Sequence, residues 1–361
     1  MSGRMLWDPF LYCINDSIQG KSETDNKVFV LPSKVSINIK GGVEVVRYRS
    51  IDALRMLCAF MIVCIHIPPK FMGGGYWIAV CRIAVPIFLM ISGYFYNKES
   101  AIKQIKKIGF LFIEANLLYG VWSCFYGVVS GVYPIINGNS ILKFIFLNES
   151  PFSGHLWYLG AVLYTQIFVY TIDQIRMKKV LYLTIPILLV IDIAFGKYSL
   201  LLFGREFDYV FIRNWIFVGI PFYTIGLLLR EKGYRIGSWG VPVFILTTVL
   251  ERYLLVANGL NATRDQYIST TFLSIAVFSV ALEYRGSINE CVAKVGREYS
   301  TWLYIVHPIF IKSLTFVAYR MGIHHIWGYI GSFVVFTVSF VFVAVVTELS
   351  RYIMKNRMTH I

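Results

Sequence analysis

The chain has 361 residues, 57% of them hydrophobic and only 15% charged, with a mean hydropathy of +0.63 and a formal net charge of +14. A soluble domain is nearer a quarter charged, so the composition excludes an ordinary soluble enzyme and points to an all-α, polytopic integral membrane helical bundle. The basic residues gather in alternate loops between apolar runs, which is the positive-inside pattern and argues against a nucleic-acid partner.

Residues 1–46 are read as a cytosolic, poorly ordered extension, because Asn15, Asp16, Lys21, Glu23, Asp25 and Asn26 break any apolar run. They lack the basic and apolar regions of a secretory signal peptide. Ten spans are then expected, near 49–67, 76–97, 107–130, 155–173, 180–196, 210–230, 239–257, 268–284, 299–320 and 327–353. Arg47 and Arg49, the lysines from Lys98 to Lys107, Arg176 to Lys179, Arg230 to Arg235, Arg285 to Arg297 and Arg351 to Arg357 fall on one side of these spans. That charge bias puts both termini in the cytoplasm and residues 354–361 in a cytoplasmic tail. No linker divides residues 47–353, which are read as one membrane domain without a visible internal repeat. Trp77, Trp157, Trp215, Trp239 and Trp327 fall near span ends, as interfacial anchors do.

Span one carries Asp52, Arg55 and His66. Ionisable groups inside a membrane are costly and mark function. Eleven residues turn a helix by three turns plus about 20°, so Arg55 and His66 share a face roughly 16 Å apart. Asp52 is one turn before Arg55 and is placed to pair with it; a helix-end ion pair is the plainer alternative. In the second span Arg82 enters from the outer side, Pro86 is placed to kink the helix, and Ser92-Gly93 permits close approach of a neighbour. The fourth span opens on His155-Leu-Trp157-Tyr158 at the outer interface. The ninth carries Tyr299 to Pro308, with His307 near mid-membrane and a proline that frees a backbone carbonyl beside the imidazole. Glu114, Asp173, Asp192, Glu251 and Glu348 are all candidate carboxylate partners for His66 or His307, and spacing does not choose among them. His324 and His325 lie in an outer loop, where a solvated role is expected. Cys13, Cys58, Cys64, Cys81, Cys124 and Cys291 show no metal-ligand spacing, and no metal site or disulfide framework is expected.

Taken together, Arg55-x10-His66, the run from Val85 to Tyr94, His155 to Tyr158, and Ser300 to His307 resemble the bacterial acyltransferase-3 membrane family, in the same order, across residues 47–353. The resemblance implies a multi-pass enzyme of the cell (inner) membrane. It would move an acyl group, usually acetyl, from cytoplasmic acyl-CoA to a hydroxyl of a cell-surface glycan or lipid-linked sugar. Acetyl-CoA would be the co-substrate, with no metal, and membrane lipids would surround the bundle. Arg55 and His66 match the family's catalytic motif. Arg82, Ser92, His155, Trp157, Tyr304 and His307 fall at positions implied to bind acyl-CoA or acceptor. Two features depart from the pattern. A Gly-Val-Asp-type lead into span two is replaced by Arg82-Ile-Ala-Val-Pro86, and no room is seen for an extracytoplasmic hydrolase-like domain. The acceptor is then expected to be reached by the membrane domain or by a separate protein.

The residues support this chemistry in their own right. A sugar hydroxyl attacking a thioester needs a base, for which neutral imidazole suits, and the developing oxyanion needs a fixed cation. The competing reading is a transporter or flippase with Arg55, His66 and His307 along a proton or anion pathway.

Overall fold

The computed structural model describes residues 48–71, 73–262 and 266–358; the N-terminal extension expected over 1–46 lies outside them. Among the described residues the structure is helical with no strand. The helices are α1 (Arg49–His66), α2 (Gly74–Cys81), α3 (Ala84–Tyr94), α4 (Ala101–Ser130), α5 (Gly138–Leu147), α6 (Trp157–Gln174), α7 (Lys178–Phe195), α8 (Ser199–Phe203) and α9 (Ile220–Lys232). They continue with α10 (Gly240–Ala257), α11 (Ile268–Glu283), α12 (Glu290–Lys294), α13 (Ser300–Arg320) and α14 (His324–Met358). Single π-helical turns, Trp215–Gly219 and Val295–Tyr299, precede α9 and α13.

Each expected span falls on a helix, and among the described residues five helical stretches are long and apolar enough to cross a membrane: Gly74–Tyr94, Ala101–Ser130, Gly240–Ala257, Glu290–Arg320 and His324–Asn356. Their outward faces are apolar: Phe110, Val121, Phe125, Leu246 and Val345 are all more than half exposed. Such a belt is stable only against lipid. This is a membrane protein.

Two boundaries differ from the sequence reading. The second span breaks at Arg82–Ile83 rather than at Pro86. Pro86 has no N–H to offer the Arg82 carbonyl one turn earlier, and the N–H groups of Arg82 and Ile83 instead reach back three residues, to Ala79 and Val80. The ninth span starts at Glu290, capped by Asn289, rather than near residue 299.

The chain sorts into two compact units, one running up to Ala84 and resuming at Ala281, the other Val85–Val280. Both boundaries fall at or beside helices, so no linker composition announces them.

The first unit is built on α1. This helix is apolar and free of Gly and Pro, and it stops at Ile67 because Pro68 and Pro69 cannot continue it. Its C-terminal end packs with α13 and α14 through Val63, Ala318, Trp327 and Val335. Trp327 is therefore a core residue, its indole donating to Thr315 Oγ1 at 3.1 Å, rather than the interfacial anchor expected. At the N-terminal end of α1 the π turn before α13 meets it so closely that a Cβ on Gly296 would sit 1.6 Å from the Asp52 carbonyl oxygen. Only glycine fits there. Cys58, Cys64 and Cys81 are buried in this unit, as expected of small apolar residues, whereas Cys291 is exposed.

In the second unit α3 and α9 cross on a reciprocal glycine contact. A Cβ on Gly93 would meet the Tyr223 carbonyl at 1.8 Å, and one on Gly226 the Met90 carbonyl at 2.0 Å. Small residues let membrane helices approach where no hydrophobic drive separates lipid from protein. Tyr96, Val169, Leu181, Tyr223 and Leu227 pack beside that crossing. Cys124 faces outward from α4.

Candidate active site

The first unit holds an ionic cluster at one end of α1 and two histidines at the other. Asp52 lies in the first turn of α1, and Arg55 one turn on donates from Nη1 to Asp52 Oδ1 at 3.0 Å, the pairing the spacing predicts. Both are buried, at 2% and 7% exposure. A second buried guanidinium, Arg297, reaches Asp52 Oδ2 at 3.6 Å from the π turn. It is held by Glu290 and Glu298, each accepting from Nη2 at 3.1 Å. Arg351 on α14 donates to Glu298 at 2.9 Å and to Glu348 at 3.1 Å; Lys294 and Tyr299 also reach Glu348 at 2.9 Å. Arg49 closes the cluster on Glu290 at 3.1 Å. Buried charges need partners of this kind, and loss of one leaves the other uncompensated.

Asp52 engages Arg55 at one nitrogen of a five-donor fork.

At the opposite end the His66 and His307 rings lie 5.2 Å apart, centroid to centroid, inclined at 45°. Contacts at both ends, Asp52 with Arg297 and His66 with His307, make α1 and α12–α13 parallel neighbours. His307 is fully buried, and its Nδ1 lies 2.7 Å from the Tyr304 carbonyl and 3.2 Å from that of Leu303. Tyr304 is four residues before Pro308, whose missing N–H releases that carbonyl, as the sequence reading expects. A carbonyl only accepts, so Nδ1 carries the hydrogen and a neutral His307 presents Nε2 as its basic nitrogen. His66 is exposed at the end of α1. Tyr304 packs against His307, with ring centroids 6.1 Å apart. Arg82, half-buried, closes α2 in the same unit.

The remaining expected residues belong to the second unit. Ser92 donates to the Phe88 carbonyl of its own helix at 3.0 Å, and its neighbour Gly93 is a packing contact. His155 is buried, with Nδ1 2.7 Å from Ser153 Oγ and its ring edge-on to Tyr119. Trp157 is half-buried, its carbonyl accepting from Asn148 Nδ2 at 2.7 Å. Three of the five candidate carboxylates have other partners: Asp173 meets Tyr96 and Lys178, Glu251 meets Tyr198 and Ser269, and Glu348 meets Lys294. His324 and His325 are exposed, each against a tyrosine ring, but they open α14 rather than lying in the loop expected.

Arg297 escaped the sequence reading, which counted it only among topological charges. Its signal was present. Arg297 precedes His307 by ten residues on one helix as Arg55 precedes His66 by eleven on another.

Residues 48–349 match the family described as Acyltransferase domain. The chain belongs to the acyltransferase-3 family. A serine/alanine racemase of Enterococcus gallinarum is 24% identical over 306 residues, covering 76% of this chain and 42% of that protein. Two amino-acid racemases of Enterococcus faecalis are 24% and 27% identical, covering 73% and 66% of this chain but 41% and 36% of their own lengths. The chain thus spans about two fifths of the length of these curated relatives. No solved structure matches it. Helix α1 carries both Arg55 and His66, and the first unit builds a neighbour for each.

Proposed function

We propose that this acyltransferase moves an acyl group, in the first instance acetyl, from cytoplasmic acyl-CoA to a hydroxyl of an extracytoplasmic or lipid-linked glycan. The observation that supports this reading is the pairing of His66 with a buried His307 whose Nδ1 is held by a carbonyl freed by Pro308. His66 takes the hydroxyl proton as that oxygen attacks the thioester carbonyl; the C–S bond then breaks, and the imidazolium returns its proton to the departing coenzyme A thiolate. A positioned base of this kind contributes about 10²–10⁴-fold. Arg55, oriented by Asp52, faces the anionic end of the coenzyme, where a planar fork recognises phosphate in two-point fashion. Arg82 and Tyr304 line the approach in the same unit. Both termini are cytoplasmic in this scheme, with the protein in the inner membrane.

The test is transfer from [13C]acetyl-CoA to host surface glycan by purified protein in nanodiscs, read by mass spectrometry. Label on the glycan, lost in His66→Gln, is expected. Movement of an unmodified solute across the bilayer without thioester cleavage would establish the transporter reading instead. The relatives' names favour one further acceptor: an amino acid such as serine, whose hydroxyl is the same class of nucleophile. Label on serine and not on glycan would select it.

A further inference from the structure

The second unit contains an arginine whose hydrogen-bonding capacity the protein leaves unused. Arg213 lies in the turn before the π-helical residues Trp215–Gly219, with its guanidinium carbon 4.3 Å from the Tyr209 ring centroid and 5.3 Å from that of Trp157. Two aromatic neighbours hold a guanidinium in place while its N–H groups radiate from the edge of its plane. Among the described residues this side chain makes no hydrogen bond and no ion pair, and its Nε is closed off from solvent without an acceptor. A buried donor left in that state is costly, about 1–3 kcal/mol and more when charged.

The two acids of the same corner do not supply the missing acceptor. Glu149 and Asp208 both turn to Lys143, at 3.9 and 3.4 Å, and Asp208 also caps the turn by accepting from the Val210 N–H. Nor is the arginine on a loose loop. Its own N–H donates to the Tyr209 carbonyl at 2.7 Å. Asn148, fully buried with φ +53°, donates to the Trp157 carbonyl and accepts from the Trp215 N–H at 2.9 Å, tying both walls together. A preorganised cation with open edges beside an indole face has the composition of a site for an acidic sugar, with the ring against the aromatic side chain and the oxyanion on the guanidinium.

We propose that Arg213, braced by Trp157 and Tyr209, is an oxyanion subsite for an acidic acceptor sugar, one that bears a carboxylate or a phosphate. The inference rests on the glycan-acceptor reading, with Trp157 already expected at the substrate and the corner on the side expected to face outward. The carboxylate would belong to a uronic acid within a glycan, the phosphate to a lipid-linked sugar.

Binding to the full-length protein in nanodiscs, without acyl donor, tests it by saturation-transfer NMR and titration with glucuronate, glucose 1-phosphate and glucose. At least tenfold tighter binding of one anionic sugar over glucose is expected, with Arg213→Gln erasing the difference. Which anion binds tighter identifies the source of the oxyanion. No preference in the wild-type protein, or a preference kept in Arg213→Gln with an unchanged melting temperature, would overturn the proposal and leave the arginine as a loop anchor. If Arg213→Gln does not fold, Arg213→Lys decides: wild-type preference in that variant overturns the subsite, and a tenfold loss supports it through the planar fork. No thioester is present, so failure here leaves acyl transfer standing, and failure of acyl transfer leaves this binding result intact.

Discussion

The same two parallel helices, α1 and α12–α13, are charged at one end and titratable at the other, and the contrast separates construction from chemistry. At the arginine end buried Arg55 and Arg297 share the Asp52 carboxylate, and the next shell of Glu290, Glu298 and Arg351 matches charge to charge. Its centre tolerates little change, because deleting Asp52, Arg55 or Arg297 strands a charge in a poorly solvated interior. At the histidine end two imidazoles face each other, one exposed and one buried, with the Tyr304 carbonyl 2.7 Å from Nδ1 of His307. The first arrangement fixes where groups stand. The second sets an exposed imidazole beside a buried one.

Substitutions ordered by their expected effect on stability sharpen this contrast. Gly296→Ala is the most severe, since its Cβ would fall 1.6 Å from the Asp52 carbonyl oxygen and drive the π turn off α1. Failure to accumulate folded protein in the membrane is expected, and a variant melting as the wild type would show that the helices can separate there at little cost. Asp52→Ala follows, with about 3–5 kcal/mol lost for a broken buried pair; thermal unfolding in nanodiscs measures it. Asp52→Asn should fold better yet still weaken acyl-CoA binding, because the amide no longer holds the Arg55 fork as a charged partner; unchanged affinity would remove the orienting role. Arg55→Lys keeps the charge and most of the stability, but should lose at least tenfold in kcat/KM, with full activity meaning that the site needs only a cation. Least affected are His324→Gln and His325→Gln, exposed on α14, where activity within about twofold of wild type is expected of surface changes.

How much of this was legible beforehand follows from the range of the interactions. Apolar runs located the helices because lipid imposes length and composition on a span. Asp52 with Arg55, and Tyr304 with His307 through Pro308, are contacts within one helix, where spacing is geometry. Arg297 was missed because its place depends on Gly296 meeting the backbone of a helix over two hundred residues away in sequence. The fates of Asp173, Glu251 and Glu348 were unreadable for the same reason: their partners lie on other elements. The division into two units left no trace, since both cuts fall within helices rather than at a linker.

The histidine end is best tested by coenzyme A release from acetyl-CoA, measured as free thiol, with glycan acceptor present, for wild type and for His66→Gln. The account predicts a fall of about 10²–10⁴-fold in kcat with a melting temperature and acyl-CoA affinity close to wild type. Undiminished thiol release from a folded His66→Gln protein would contradict it.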